Sequence, residues 1–317
     1  MRVGVATVNW NRPSDTLACL ESLRRATPAP VHVVVADNAS TDDSVATIRA
    51  WAADHRDFPL TVLALDDNRG YAAGGNRAIT VLARDPAVTH FLLFNNDATV
   101  DPTFFAAVES GLRHADDVAV LGPTIYHGPT RDHVWYAGGR LPRWRALAEH
   151  GTTLPSGDDL RATEFVCGAA MLISRTAWEQ LGPLPECYFI YFEDTEYSHR
   201  ALAAGLRVAY LPGAVVHHES GTTMGTTPNP RNEYRFSRSR ALYVQRNLRG
   251  LSRWSAIGYL ILSRPLRAAL DLARGRPAVA RAGLVGTLRG LLAVERDGKA
   301  GEASAVQRRR DRVVVDE

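Results

Sequence analysis

The sequence predicts an α/β fold, a mostly parallel sheet flanked by helices, followed by a helical C-terminal appendage. Three observations carry that prediction. Short apolar, β-branched runs alternate with helix-patterned segments through the first hundred residues, the signature of successive βα units. Gly, Pro and Cys are too sparse for a collagenous, low-complexity or disulfide-built chain, and 45% hydrophobic against 22% charged residues is ordinary globular usage. Charge is divided: residues 231–317 hold 18 Arg and one Lys against eight acids, a net +11, which leaves −8 for residues 1–230 of a chain whose total is +3.

In order, residues 2–8 read as a strand, and Ser14 to Arg25 as a helix behind Pro13, with Leu17, Leu20 and Leu23 on one face. The order repeats with strands at 31–36, 60–65 and 90–94 and helices at 42–53 and 74–83. A helix and strand follow within 102–122. Periodicity then weakens from Pro123 to Thr163, where short antiparallel strands and a long loop are expected. Residues 165–174 read as a strand, 176–181 and 193–204 as helices, and 207–211 as a strand stopped by Pro212. From Asn232 the chain is helical, with breaks expected near Gly250, Pro265 and Pro277.

The three cysteines are far apart and show no metal or redox spacing, which points to a reducing, cytoplasmic compartment. The chain begins directly with a strand rather than with signal-peptide regions. Its longest uncharged apolar stretch near the C-terminus, Trp254 to Ser263, is about half of the roughly 20 residues that span a bilayer, so no transmembrane helix is expected.

In a parallel sheet, ligands gather beyond the carboxyl ends of the strands. Those ends are chemically alike here: Asn9-Trp10-Asn11, Asp37-Asn38-Ala39-Ser40, Asp67-Asn68-Arg69-Gly70 and Asn95-Asn96-Asp97. Each alone is explained by turn chemistry, because Asn and Asp side chains mimic backbone turns. Four along one sheet edge point to a ligand.

With these residues in view, the chain resembles family 2 glycosyltransferases, in particular their rhamnosyltransferase-like branch. The pieces are TVNWN, VVVADNASTDDS, DNRGYAAGGNRAI, FLLFNNDATV, FVCGAAMLISRTAWEQLGPLPECYFIYFEDTEYSHRALAAGLRV and LPGAVVHHES, in the family's order across about residues 3–220. The resemblance implies a GT-A fold, Rossmann-like in its sheet. It implies a catalytic domain over 1–230, with a nucleotide-binding half at 1–100 and an acceptor half at 101–230. A basic helical region at 231–294 and a flexible tail at 295–317 would follow. It further implies inverting, non-processive transfer of a sugar from a nucleotide-sugar donor, dTDP-L-rhamnose or a UDP-sugar among the candidates, to a hydroxyl acceptor.

By the same resemblance, Asp37 receives the base's imide N–H, with Thr7, Asn9, Asn11 and Asn96 in the same pocket. Asn68, Arg69 and Asn76 lie on the loop that meets the phosphates, where backbone amides at a helix start suit an anion. Gly168 leaves room for the sugar. Asp97 and a histidine, His218 rather than His217, hold Mg²⁺ or Mn²⁺, although Asn95 stands where the family carries a second acid. Asp194 is the base and Glu193 its runner-up, while Glu196 and Arg200 orient base or acceptor. Acids in a helix's first turn also stabilise its dipole without any part in catalysis. Pro185 replaces the family's usual aspartate, so acceptor contacts there transfer least.

The acceptor implied is a cell-envelope glycan or lipid-linked precursor, with a small secondary metabolite or a peptide as the alternative. The basic helices leave three readings open: contact with the inner face of the cell membrane, packing on the catalytic body, or a homodimer. A sugar-nucleotide pyrophosphorylase would need a lysine-bearing N-terminal signature that is missing, since Lys299 is the only lysine. No nucleic-acid partner is expected, because no recognised binding motif accompanies the basic tail. Thr222, Thr223, Thr226 and Thr227, between Gly221 and Arg231, suggest either a loop that closes over donor or a plain linker.

Overall fold

The computed structural model describes residues 1–219 and 228–293; most of the threonine-rich stretch and the C-terminal tail lie outside the described residues. Elements follow as β1 (Val3–Asn9), α1 (Pro13–Arg25), β2 (His32–Asp37), α2 (Ser44–Asp54), β3 (Leu60–Ala64), α3 (Tyr71–Leu82), β4 (His90–Asn95), β5 (Ala98–Val100) and α4 (Phe104–Leu112). Then come β6 (Val118–His127), β7 (Val134–Tyr136), β8 (Gly139–Arg140), β9 (Glu149–His150), β10 (Arg161–Ala162), β11 (Ala170–Ser174), α5 (Arg175–Leu181) and α6 (Glu193–Ala203). β12 (Arg207–His218), α7 (Pro230–Asn247), α8 (Gly250–Ala273) and α9 (Pro277–Leu291) complete the order.

The main sheet runs β10-β12-β6-β11-β4-β1-β2-β3, with β5 on β12 and β7 on β6. β3, β2, β1 and β4 are parallel, as the βα rhythm predicts. β11 is antiparallel to both β4 and β6, so the sheet is mixed. Alternate side chains enter opposite layers. Val33 and Val35 pack with Leu20, Leu23 and Ile48 of α1 and α2, whereas Val34 and Ala36 pack with Ile79 of α3. A third cluster seats α7 on the body, where Ala241, Leu242, Tyr243 and Val244 meet Leu141, Ala146, Tyr188 and Phe192.

The main differences from expectation are three boundaries and one added strand. Residues 165–169 leave the sheet in a turn, closed by the Ala170 amide on the Cys167 carbonyl at 3.2 Å, so β11 starts at Ala170. Pro212 does not stop β12: a register shift between Leu211 and Val215 absorbs its missing donor, and Thr124 Oγ1 donates to the Pro212 carbonyl at 2.9 Å. Pro265 lies inside α8 without ending it. β5, three residues long, carries too little periodicity to be read from sequence, yet it pairs Ala98 with His218.

Candidate active site

The ends of β1, β2 and β4, the turn before β11, the start of α6, the end of β12 and the first turns of α7 face a cleft of about 580 Å³. That volume suits a small-molecule site. Beneath one wall lies a closed polar network. Asp37 accepts from the Ser40 amide at 2.8 Å, from Ser40 Oγ at 2.6 Å and from Asn9 Nδ2 at 2.6 Å. Asn9 Oδ1 in turn accepts from Thr16 Oγ1 at 2.8 Å, and Asn96 Nδ2 donates to that hydroxyl at 3.0 Å. Asn11, in the left-handed region at φ 53°, receives the Thr41 amide at 2.8 Å. Asp37, Asn9 and Thr7 are buried and do not border the cleft; the Thr7 hydroxyl finds no partner among the described residues.

Opposite this network, β5 brings Asp97 to the end of β12. His218 Nε2 sits 3.0 Å from Asp97 Oδ1 and 3.1 Å from Asn95 Nδ2, with His218 and Asp97 both buried. Strand alternation decides between the histidines. His218 faces the cleft beneath Trp135, while His217 turns the other way, stacks on Tyr126 and reaches the Gly128 carbonyl at 3.3 Å. Among the described residues no cluster of three or more His, Cys, Asp or Glu side chains is placed to hold a metal ion. A hard cation held by one carboxylate and one imidazole can complete its shell with water and substrate phosphate, so the pair fits Mg²⁺ or Mn²⁺. The His218 Nδ1, buried without a partner, marks this corner as incomplete.

The two acids at the start of α6 form the cleft's other polar feature. Asp194 Oδ2 accepts from the Gly168 amide at 2.8 Å and Oδ1 from the Thr195 amide at 2.6 Å. Burial raises its pKa against the pull of those bonds. Glu193 is pushed up to about 8 by burial first and by the neighbouring Asp194 second. Its Oε2 is buried with no partner. His150, also on the cleft, is held by burial below the ordinary imidazole value, so it stands neutral beside these acids.

The turn that presents them is strained. Tyr191 and Phe192, neither a glycine, sit at φ 70° and 75°. Such backbone persists where its surroundings over-determine it. Here α7 supplies them: Phe192 packs on Phe236 and Tyr243, and Ser239 Oγ donates to the Ile190 carbonyl at 3.1 Å.

Of the residues expected from sequence, Asn68, Asn96, Asp97, Gly168, Glu193, Asp194 and His218 border one cleft. Others lie elsewhere. Asn76 is buried under residues 184–186, exchanging bonds with Leu184 backbone at 2.9 and 3.0 Å, and Arg69 turns to Glu186 at 3.7 Å. Glu196 points away from the cleft, to Tyr188 Oη at 2.6 Å, Asn247 Nδ2 at 2.7 Å and Arg246 Nε at 3.1 Å. Arg200 caps the Pro183 and Leu181 carbonyls. Both therefore tie α6 to its neighbours instead of meeting an acceptor in the cleft.

Sequence reasoning missed several cleft residues. Asn38 and Tyr71 stood inside quoted motifs: Asn38 Nδ2 donates to the Gly70 carbonyl, and Tyr71 Oη to the Gly168 carbonyl, each at 2.9 Å. Gly70, at φ 96° against the Phe189 carbonyl, leaves no space for a Cβ and so joins the two halves of the site. Asn232, Arg235 and Phe236 of α7 were hidden in the basic tail, where no local signal marks them.

Comparison with known proteins places the fold and the family. The chain is 28% identical over 232 residues to the N-acetylglucosaminyl-diphospho-decaprenol L-rhamnosyltransferase of Mycobacterium tuberculosis, covering 66% of this chain and 73% of that one. It is 22% identical over 209 residues to the low-salt glycan biosynthesis hexosyltransferase Agl10 of Haloferax volcanii, covering 65% and 63%. Among solved structures it superposes on the mannosyltransferase PcManGT from Pyrobaculum calidifontis, in complex with GDP-Man and Mn²⁺, with a TM-score of 0.56, 19% identity, and 93% and 88% coverage. On GalNAc-T7 with UDP, GalNAc and Mn²⁺ the TM-score is 0.61 at 14% identity, covering 77% of this chain and 48% of that one. These likenesses show a GT-A fold. The model of the family described as glycosyltransferase like family 2 matches residues 2–250, and the chain belongs to that family.

Proposed function

We propose that this glycosyltransferase moves a sugar, with inversion and one residue at a time, from a nucleotide-sugar donor to a hydroxyl of a lipid-linked cell-envelope precursor. The observation that carries the reading is one cleft bordered by both the Asp97–His218 pair and the Glu193–Asp194 pair. In the transfer, the acceptor hydroxyl attacks the anomeric carbon, the bond from that carbon to the phosphate oxygen breaks, and the diphosphate leaves with the electron pair. Asp194 takes the hydroxyl's proton. Its bonds from Gly168 and Thr195 fix the carboxylate in the turn, and burial makes it a better base than a solvated aspartate. Asp97 and His218 are the residues that would hold a divalent cation, whose charge offsets that of the leaving diphosphate.

The lipid-linked acceptor and an L-rhamnosyl donor are supported by the mycobacterial relative's name. No disulfide joins the three cysteines, in keeping with a cytoplasmic setting. Thermal unfolding with UDP-, dTDP- and GDP-sugars, each with and without Mn²⁺, tests the donor site, because a ligand bound only to the native state stabilises it by mass action. One nucleotide class should raise Tm, and only with the metal. Absence of a shift with every donor in the presence of Mn²⁺ would overturn the reading.

A further inference from the structure

We propose that the outer face of α8 and α9 is a docking surface for an anionic lipid bilayer. On α8, Leu251, Trp254, Ile261, Leu262 and Leu266 are all exposed, Leu251 by 89%, Leu262 by 72% and Trp254 by 70%. With Gly258, Pro265 and Ala269 they recur at three- and four-residue steps, so they form one stripe along a 24-residue helix without a charged side chain in it. On α9 and just after it, Leu284, Leu288 and Leu292 are exposed as well, at three- and four-residue steps. The helix already has an apolar inner side, where Ala256, Leu260 and Ala268 are buried beside Asp271, so the outer stripe is apolar surface beyond what packing on the body uses. A contiguous exposed apolar surface of this kind marks an interaction site.

Charge identifies the occupant. Residues 249–293 hold eight arginines and one acid, Asp271, which is itself buried and 3.5 Å from Arg267. Arg267, Arg274, Arg276, Arg281 and Arg289 are exposed. A second copy of the same face would set two strongly positive surfaces against each other. An anionic bilayer instead neutralises them, while the leucines and Trp254 enter the acyl boundary. No helix among the described residues is long and apolar enough to cross a membrane, so the helices would lie in the interface.

The surface is rigidly joined to the body. A Cβ at Gly286 of α9 would stand 2.5 Å from the Tyr234 carbonyl of α7, so glycine permits the close packing of these helices. α7 also walls the cleft through Asn232, Arg235 and Phe236. Docking is therefore tied to the site, yet it stands without any assumption about donor or sugar.

Co-sedimentation of the full chain with phosphatidylcholine vesicles, with and without phosphatidylglycerol, is the test. Binding should require the anionic lipid. Leu262→Asp with Leu266→Asp should lower partitioning by about tenfold or more without lowering Tm, because both positions are exposed. Arg274→Gln with Arg281→Gln should lower binding to anionic vesicles alone. The proposal fails if the native chain stays in solution with anionic vesicles or if the leucine variant binds equally. A dimer in solution that the leucine variant dissociates would give the face to a second copy and also overturn it.

Discussion

At the ends of β1 and β2, Asp37 is buried with three donors on its carboxylate, from Ser40 and Asn9. At the start of α6, Glu193 is equally buried, with one carboxylate oxygen left bare, a second acid beside it and two left-handed residues before it. Both regions are acidic and serve the same cleft. The first carboxylate is saturated without a ligand and fixes loop geometry; the second is held in an unfavourable state by packing from α7 and gains when a proton or substrate arrives. Saturated polar groups build the wall of this site, and unsatisfied ones are where its chemistry is expected.

The largest effect should come from the unsatisfied side. Asp194→Asn keeps the shape of the turn but removes the base, so transfer should fall by about 10²–10⁴-fold while donor binding, read by thermal shift, is retained. Near-normal turnover would move the base to Glu193. Next, His218→Ala should abolish the metal dependence of donor binding, whereas His217→Ala should leave it intact, because β12 turns His217 out of the cleft. The reverse order would place the cation elsewhere.

On the saturated side, Asp37→Ala should cost stability instead of chemistry. It strands the Ser40 amide and the Ser40 hydroxyl proton and leaves Asn9 Nδ2 with Ser40 Oγ alone, and about 2–4 kcal/mol should be lost in denaturant unfolding. A variant of unchanged stability but lost donor affinity would show that Asp37 meets the nucleotide directly, and the contrast between the two regions would fail.

How much of this was legible in the sequence follows the same division. The β1–β4 half is built from strands and helices of ordinary length, whose periodicities are read directly, and its polar partners lie on neighbouring loops. The acidic half depends on remote segments. Glu196 reads as a site residue until Arg246, fifty positions later, proves to be its partner. Asp97 and His218 meet through β5, too short to carry a pattern, and through a β12 that passes Pro212 by a bulge. Arg235 borders the cleft from a helix whose composition left membrane contact, packing on the body and a homodimer equally open.

The smallest predicted effect separates the two regions most cleanly, because its sign is opposite to that at Asp37. Glu193 has a native pKa of about 8, raised by burial from the ordinary carboxyl value of 4.5. Between those values the native state binds the proton more tightly than the unfolded chain, so stability is lost as pH rises from 4.5 through 8. Glu193→Gln keeps the side chain's shape and removes the charge. Its stability should therefore match the native chain's near pH 4 and exceed it at pH 8 by on the order of 1–3 kcal/mol. Tm measured against pH for both proteins checks the argument. A gap that does not open with pH would mean that Glu193 is stabilised as an anion, and the start of α6 would then be as saturated as the end of β2.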